Sequence, residues 1–62
     1  MTKNEAVLIA AKTQRASMQT FVEYPSDSPE SVAATEAIEA AWREALALGA
    51  TRDEILAAVQ GL

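Results

Sequence analysis

Three sets of side chains have the types and spacing to do chemistry: hydroxyls at Ser26, Ser28 and Ser31, carboxylate pairs at Glu36/Glu39 and Asp53/Glu54, and cations at Lys3, Lys12 and Arg15. A serine nucleophile needs a base beside it, and with no histidine or cysteine that base must be a carboxylate or a lysine. The serines fall in "PSDSPES", where turn formation and helix capping account for them. Glu36 and Glu39 fall on a solvent-facing helix side. Asp53 and Glu54 stand at a helix start, where the helix dipole favours negative charge. Without Cys or His there is no thiolate or imidazole metal site and no Glu-x-x-His motif of the di-metal bundles. Gly49 and Gly61 do not form a phosphate-cradling loop. These residues imply no enzyme, no cofactor and no metal.

The elements that must position these groups are all helical. "TKNE" at 2–5 is a capping box that starts helix 1 at about residue 3, and Pro25 ends it near Tyr24. Ser28 as N-cap and Pro29 at the first helical position start helix 2, which runs from about 29 to 48, with Gly49 placed for the left-handed closing conformation. "TRDE" at 51–54 repeats the capping box and opens a short helix 3, about 52 to 60. The fold class is all-α: an antiparallel hairpin (3–24 and 29–48) plus a short third helix, one domain spanning 1–62, expected to be completed as a dimeric helical bundle.

Helix 1 repeats Val7, Ala11, Gln14, Met18 and Phe21 at spacings of 4, 3, 4 and 3, and helix 2 repeats Ala34, Ile38, Ala41, Ala45 and Leu48 in the same rhythm. These are the expected seams. Trp42 and Leu46 form a shoulder beside the second seam, Glu39 and Arg43 are spaced for an i,i+4 ion pair, and helix 3 is expected to fold back through Ile55, Leu56, Val59 and Leu62. Leu8 and Ile9 lie off the first seam, and Val32 lies on an otherwise polar face. One hairpin partner does not cover them.

Composition agrees with a need for a partner surface. Half of the 62 residues are apolar, but 14 of those are alanine, which favours helix more than it fills a core. A chain this short buries only about 60% of the surface its unfolded form exposes, and with no cysteine it has no disulfide to help. A homodimer or higher homo-oligomer is therefore expected, with a heterologous protein as a further possible partner. The candidate interface residues are Leu8, Ile9, Val32, Ile38, Trp42 and Leu46. Trp42 is the largest single contributor of burial, as a core residue, a self-interface residue or an anchor for another protein.

The net charge of −4 is unevenly placed: residues 1–22 sum to +2 and residues 23–62 to −6, so the two parts should attract within or between chains. An acidic chain binds phosphate backbones poorly. The longest apolar run, Ala6 to Ala11, is too short for a membrane span or a signal peptide, and a cytoplasmic location is expected.

"AAWREALALGATRDEILAAVQGL" resembles the first two helices of helix-turn-helix regulators, with a helix, a Gly break, a Thr cap and "EI" followed by "AAV". The resemblance covers about 23 residues and implies a small dimeric transcriptional or nucleic-acid regulator, the alternative function. In that family the base-reading helix follows the second Gly turn, and here the sequence ends at Leu62, so no residue carries over as a base reader. Nucleic-acid contact would fall to Lys3, Lys12 and Arg15. Gly61-Leu62 also reads as a simple helix C-cap, with Leu62 packing back near Ala57. The main expectation is a small non-enzymatic helical protein acting by protein–protein interaction. Short, Ala-rich, acidic chains of this kind look like the accessory proteins of phages, plasmids or bacterial operons.

Overall fold

The computed structural model describes all 62 residues and consists of three helices: α1 (Lys3–Glu23), α2 (Pro29–Ala47) and α3 (Arg52–Gln60). Both capping boxes close. The Thr2 side chain accepts from the Glu5 backbone N–H at 3.2 Å while Glu5 accepts from Thr2, and Thr51 and Glu54 do the same for α3. Ser28 accepts from the Ser31 N–H at 3.2 Å to open α2 behind Pro29. Tyr24, pushed to an extended conformation by Pro25, ends α1 one residue earlier than expected. Gly49 takes φ +97, the left-handed region that closes α2, and the Ala50 N–H then bonds back to the Ala45 carbonyl at 3.0 Å. Gly61 caps α3 at φ −82, an ordinary right-handed conformation, with its N–H shared between the Ala57 and Ala58 carbonyls.

α1 and α2 form the antiparallel hairpin, and α3 packs on α1. The core is thin. Ala6, Ala10, Ala45, Ala50 and Ile55 make one cluster, with Val7, Ala41 and Trp42 packed against it. Between residues 12 and 44 the only buried residues are Ser17 and Ser31. The molecule exposes 4160 Å², slightly more than the about 3,900 Å² expected for a folded chain of its mass.

The seams are partly as the spacing predicts. On α2, Ala34, Ile38 and Ala41 are half-buried and Ala45 is buried, but Leu48, at the helix end, is exposed. On α1 the first part of the expected seam holds, with Ala11 buried and Val7 and Gln14 half-buried, but Met18 and Phe21 are exposed, and Ala6, Ala10 and Ser17 are buried beside it. Two neighbours approach α1 from different directions. Gln14 meets Trp42 of α2, while Arg15, Met18 and Val22 lie beside Val59 at the end of α3. The small residues between those directions lie under both. On α3, Ile55 and Val59 are buried, and Leu56 and Leu62 are exposed instead of folding back. Glu39 and Arg43 form no ion pair within 4.0 Å; the one ion pair is Lys3–Glu54 at 3.2 Å, which ties the basic start of α1 to the acidic start of α3.

Candidate protein-interaction surface

The groups with chemical potential are dispersed or already engaged. The Ser28 hydroxyl donates to the Pro25 carbonyl at 2.7 Å and Ser17 donates to the Thr13 carbonyl at 2.7 Å; neither bonds to a carboxylate or lysine. The Ser31 Oγ is buried without a partner. Glu36, Glu39 and Asp53 are exposed, and no three acidic side chains converge. Glu54 is held below the ordinary carboxylate range, first by its hydrogen bond from Lys3 and then by the Thr51 backbone N–H.

Among the cations, Lys3 is spent on Glu54, which leaves Lys12 and Arg15 of the three that a nucleic-acid contact would use. Arg52, at the start of α3, lies over the Trp42 ring at 6.0 Å from its centroid, the outer limit of a cation–π contact. Arg52 and Glu54, at the start of the helix that follows the Gly49 turn, therefore meet the molecule's own elements, while Asp53 faces outward. No helix is long and apolar enough to cross a membrane.

The candidate interface residues divide into two groups. Leu8, Ile9, Val32 and Leu46 are exposed. Ile38 and Trp42 are half-buried in the hairpin, and the Trp42 Nε1–H donates to the Gln14 Oε1 at 2.9 Å. An indole that finds a hydrogen-bond partner when buried loses little by leaving water. Trp42 thus ties α1 to α2, with Arg52 over its ring face.

The structure adds a surface that the spacing assigned to the core. α1 has 21 residues and is about 31 Å long, whereas the nine residues of α3 reach only about 14 Å. Where α3 stops, an open groove of about 490 Å³ is lined by Arg15, Met18, Gln19 and Val22 of α1 and by Val59 and Gln60 of α3. Met18 is 52% and Val22 84% exposed, and Phe21 and Tyr24 continue the apolar surface toward the turn. The signal for this surface was the mismatch in helix length, which means that a short third helix covers only part of its neighbour. No protein-family model, curated protein or solved structure matches the chain.

Proposed function

We propose that this is a non-enzymatic interaction module that works by placing the apolar groove between the second half of α1 and the end of α3, lined by Arg15 as its one charged residue, against another protein chain. The observation that carries the reading is the distribution of large apolar side chains: twelve of them are exposed, against only Ile55 and Val59 buried. Single exposed apolar residues are ordinary, but Met18 and Val22 stand together along one groove, and apolar side chains gathered at a groove mark an interaction surface. The groove holds an arginine on its rim and two glutamines within it, the mixture of apolar floor and polar edge that protein interfaces use. An accessory role toward a host or operon protein fits such a surface, because it asks only for shape and a few anchors.

The test is capture from the native host with the intact chain as bait, in parallel with Val22→Asp. The expected result is a defined protein retained by the wild-type chain and lost by the variant. Equal capture by both, or salt-dependent DNA binding weakened by Lys12 and Arg15 substitutions, would replace this reading with the nucleic-acid one.

A further inference from the structure

We propose that α3 is an exchangeable arm: by straightening the turn at Gly49, two copies of this chain trade third helices, and each seats its α3 on the hairpin of the other. This goes beyond the interaction-module reading and stands without it. The surface involved is the one that α3 already covers, so its occupant is in view.

The contact to be traded is complete within one chain. Ile55 and Val59 are buried, Glu54 pairs with Lys3 at 3.2 Å, and Arg52 lies over Trp42. The hairpin of a second copy offers the same partners in the same places, so these contacts contribute equally to the closed chain and to the exchanged dimer. The nine residues of α3 are too few to hold a helix alone in water. An α3 that leaves its site must therefore dock again, on its own hairpin or on another.

The two forms differ in the hinge, Leu48–Thr51. Gly49, at φ +97, is the one residue of the chain with positive φ, and Thr51 is extended as the cap of α3. Leu48 and Ala50 beside them favour helix. With Gly49 and Thr51 in the right-handed region α2 runs on into α3, and the first N–H groups of α3 bond to hinge carbonyls in place of the Thr51–Glu54 box. In a dilute solution the short hinge keeps α3 at high effective concentration beside its own site, which favours the closed chain.

Direction fits a dimer of two. Glu54 lies by Lys3, and Val59 and Gln60 lie by Arg15 and Met18, so α3 runs with α1 and against α2. Carried straight on from α2, it leaves past the start of α1 and away from its own site. A two-fold axis at the hinge brings the second copy's α3 back in the direction the site requires, and the assembly closes. Where the two α1 starts meet, each copy brings Glu5, Asp53 and Glu54 against Lys3 and Arg52, an acidic excess that suits the positive ends of helices. The groove beside Arg15 and Met18 is then built from two chains.

Sedimentation equilibrium from micromolar to millimolar concentration tests this on the full chain, comparing wild type, Gly49→Ala and a chain with Gly49 deleted. Circular dichroism follows helicity. A Cβ at Gly49 meets nothing within 4 Å, so alanine acts on the hinge conformation alone. Exchange relieves the left-handed strain in both chains, and Gly49→Ala is expected to lower the dimer dissociation constant at least about tenfold with helicity retained. The deletion shortens the turn that reverses the chain and is expected to favour the dimer further.

The traded contact is read with Arg15→Cys and Gln60→Cys, each placed in the Gly49→Ala chain, which has no other thiol. After the two are mixed in urea and refolded together, a short bis-maleimide is expected to link the mixture and neither variant alone. A Gly49→Ala dimer no tighter than wild type, or a dimer whose mixture does not link, overturns the proposal. Should Gly49→Ala lose helicity, the deletion chain carries the same two cysteine substitutions and decides by the same readout. Two hinge variants that both stay monomeric or both lose helicity also overturn it. Capture of a host protein that Val22→Asp abolishes is unaffected by any of these failures, which keeps the two readings apart.

Discussion

The two ends of the hairpin are built from the same kind of helix and reach opposite results. At the end that holds the start of α1, the end of α2 and all of α3, Ala6, Ala10, Ala45, Ala50 and Ile55 pack together, and Lys3–Glu54 and Arg52–Trp42 bind α3 to its neighbours. At the turn end the buried residues are two serines, one of them with an orphaned hydroxyl, while Met18, Phe21, Val22 and Tyr24 face outward. Alanine lets two helix backbones come close but removes little apolar area from water, so a two-helix layer of this composition needs a third element to cover its larger side chains. Where α3 supplies that element a small core closes, with Leu8, Ile9, Leu46, Leu48, Leu56 and Leu62 still exposed around it. Where α3 stops, the same helices leave Met18 and Val22 exposed along an open groove.

The contrast can be broken most sharply by truncation at each end. Ile55→Ala removes the largest fully buried side chain from a core with little to replace it, and a loss of about 2–5 kcal/mol is expected, enough to unfold the closed end. Val22→Ala, measured by urea denaturation at a concentration where the chain is monomeric, is expected to change stability by less than about 0.5 kcal/mol. Equal effects would erase the distinction between the ends.

The glycines sharpen it at the next scale. Gly49→Ala forces a side chain into the left-handed region and is expected to cost about 1–2 kcal/mol, although a Cβ there meets nothing within 4 Å. Gly61→Ala meets only ordinary contacts at 3.6 Å with right-handed backbone, and thermal unfolding is expected to show a neutral change or a gain of up to about 1 kcal/mol.

Ser31 probes the turn end directly. Its buried Oγ has no partner, whereas its backbone N–H is held by Ser28, so Ser31→Ala removes the orphan and keeps the cap. Stability is expected to stay level or rise by up to about 1 kcal/mol in urea titration. A clear loss would show that the hydroxyl has a partner in solution.

The smallest effect belongs to pH at the closed end. Because Glu54 is held below its ordinary value, it stabilises the folded chain at pH values above the ordinary carboxylate range, about 4.3, and that contribution fades as pH falls through the lowered folded value. Thermal unfolding at low salt should show wild type ahead of Glu54→Gln at pH 7, with the gap closing on acidification. A gap that persists at the lowest pH would assign it to something other than the charge.

Much of the fold was readable because its punctuation is local. Thr2, Ser28, Pro29 and Thr51 act on groups within a few residues, and both expected capping boxes and the left-handed Gly49 are present. The seam of α2 was largely readable as well, since one neighbour covers it. The seam of α1 was readable through Val7, Ala11 and Gln14 but not at Met18 and Phe21, because periodicity shows that a face is apolar without showing from how many directions it will be approached. The groove went unread for the same reason: Met18 and Phe21 fit a two-helix seam well, and only the reach of α3 leaves them uncovered.

By itself, the sequence determined the helices and their limits, the absence of thiol and imidazole chemistry, and a surplus of apolar residues over what so small a core can hold. Those properties follow from contacts within a turn of helix or from composition alone. Tertiary structure decided that Trp42 meets Gln14, that Lys3 is spent on Glu54, and that α3 covers one part of α1 and leaves the other open. Each of these depends on where elements far apart in the chain come to rest, and that is set by helix lengths and approach directions acting together.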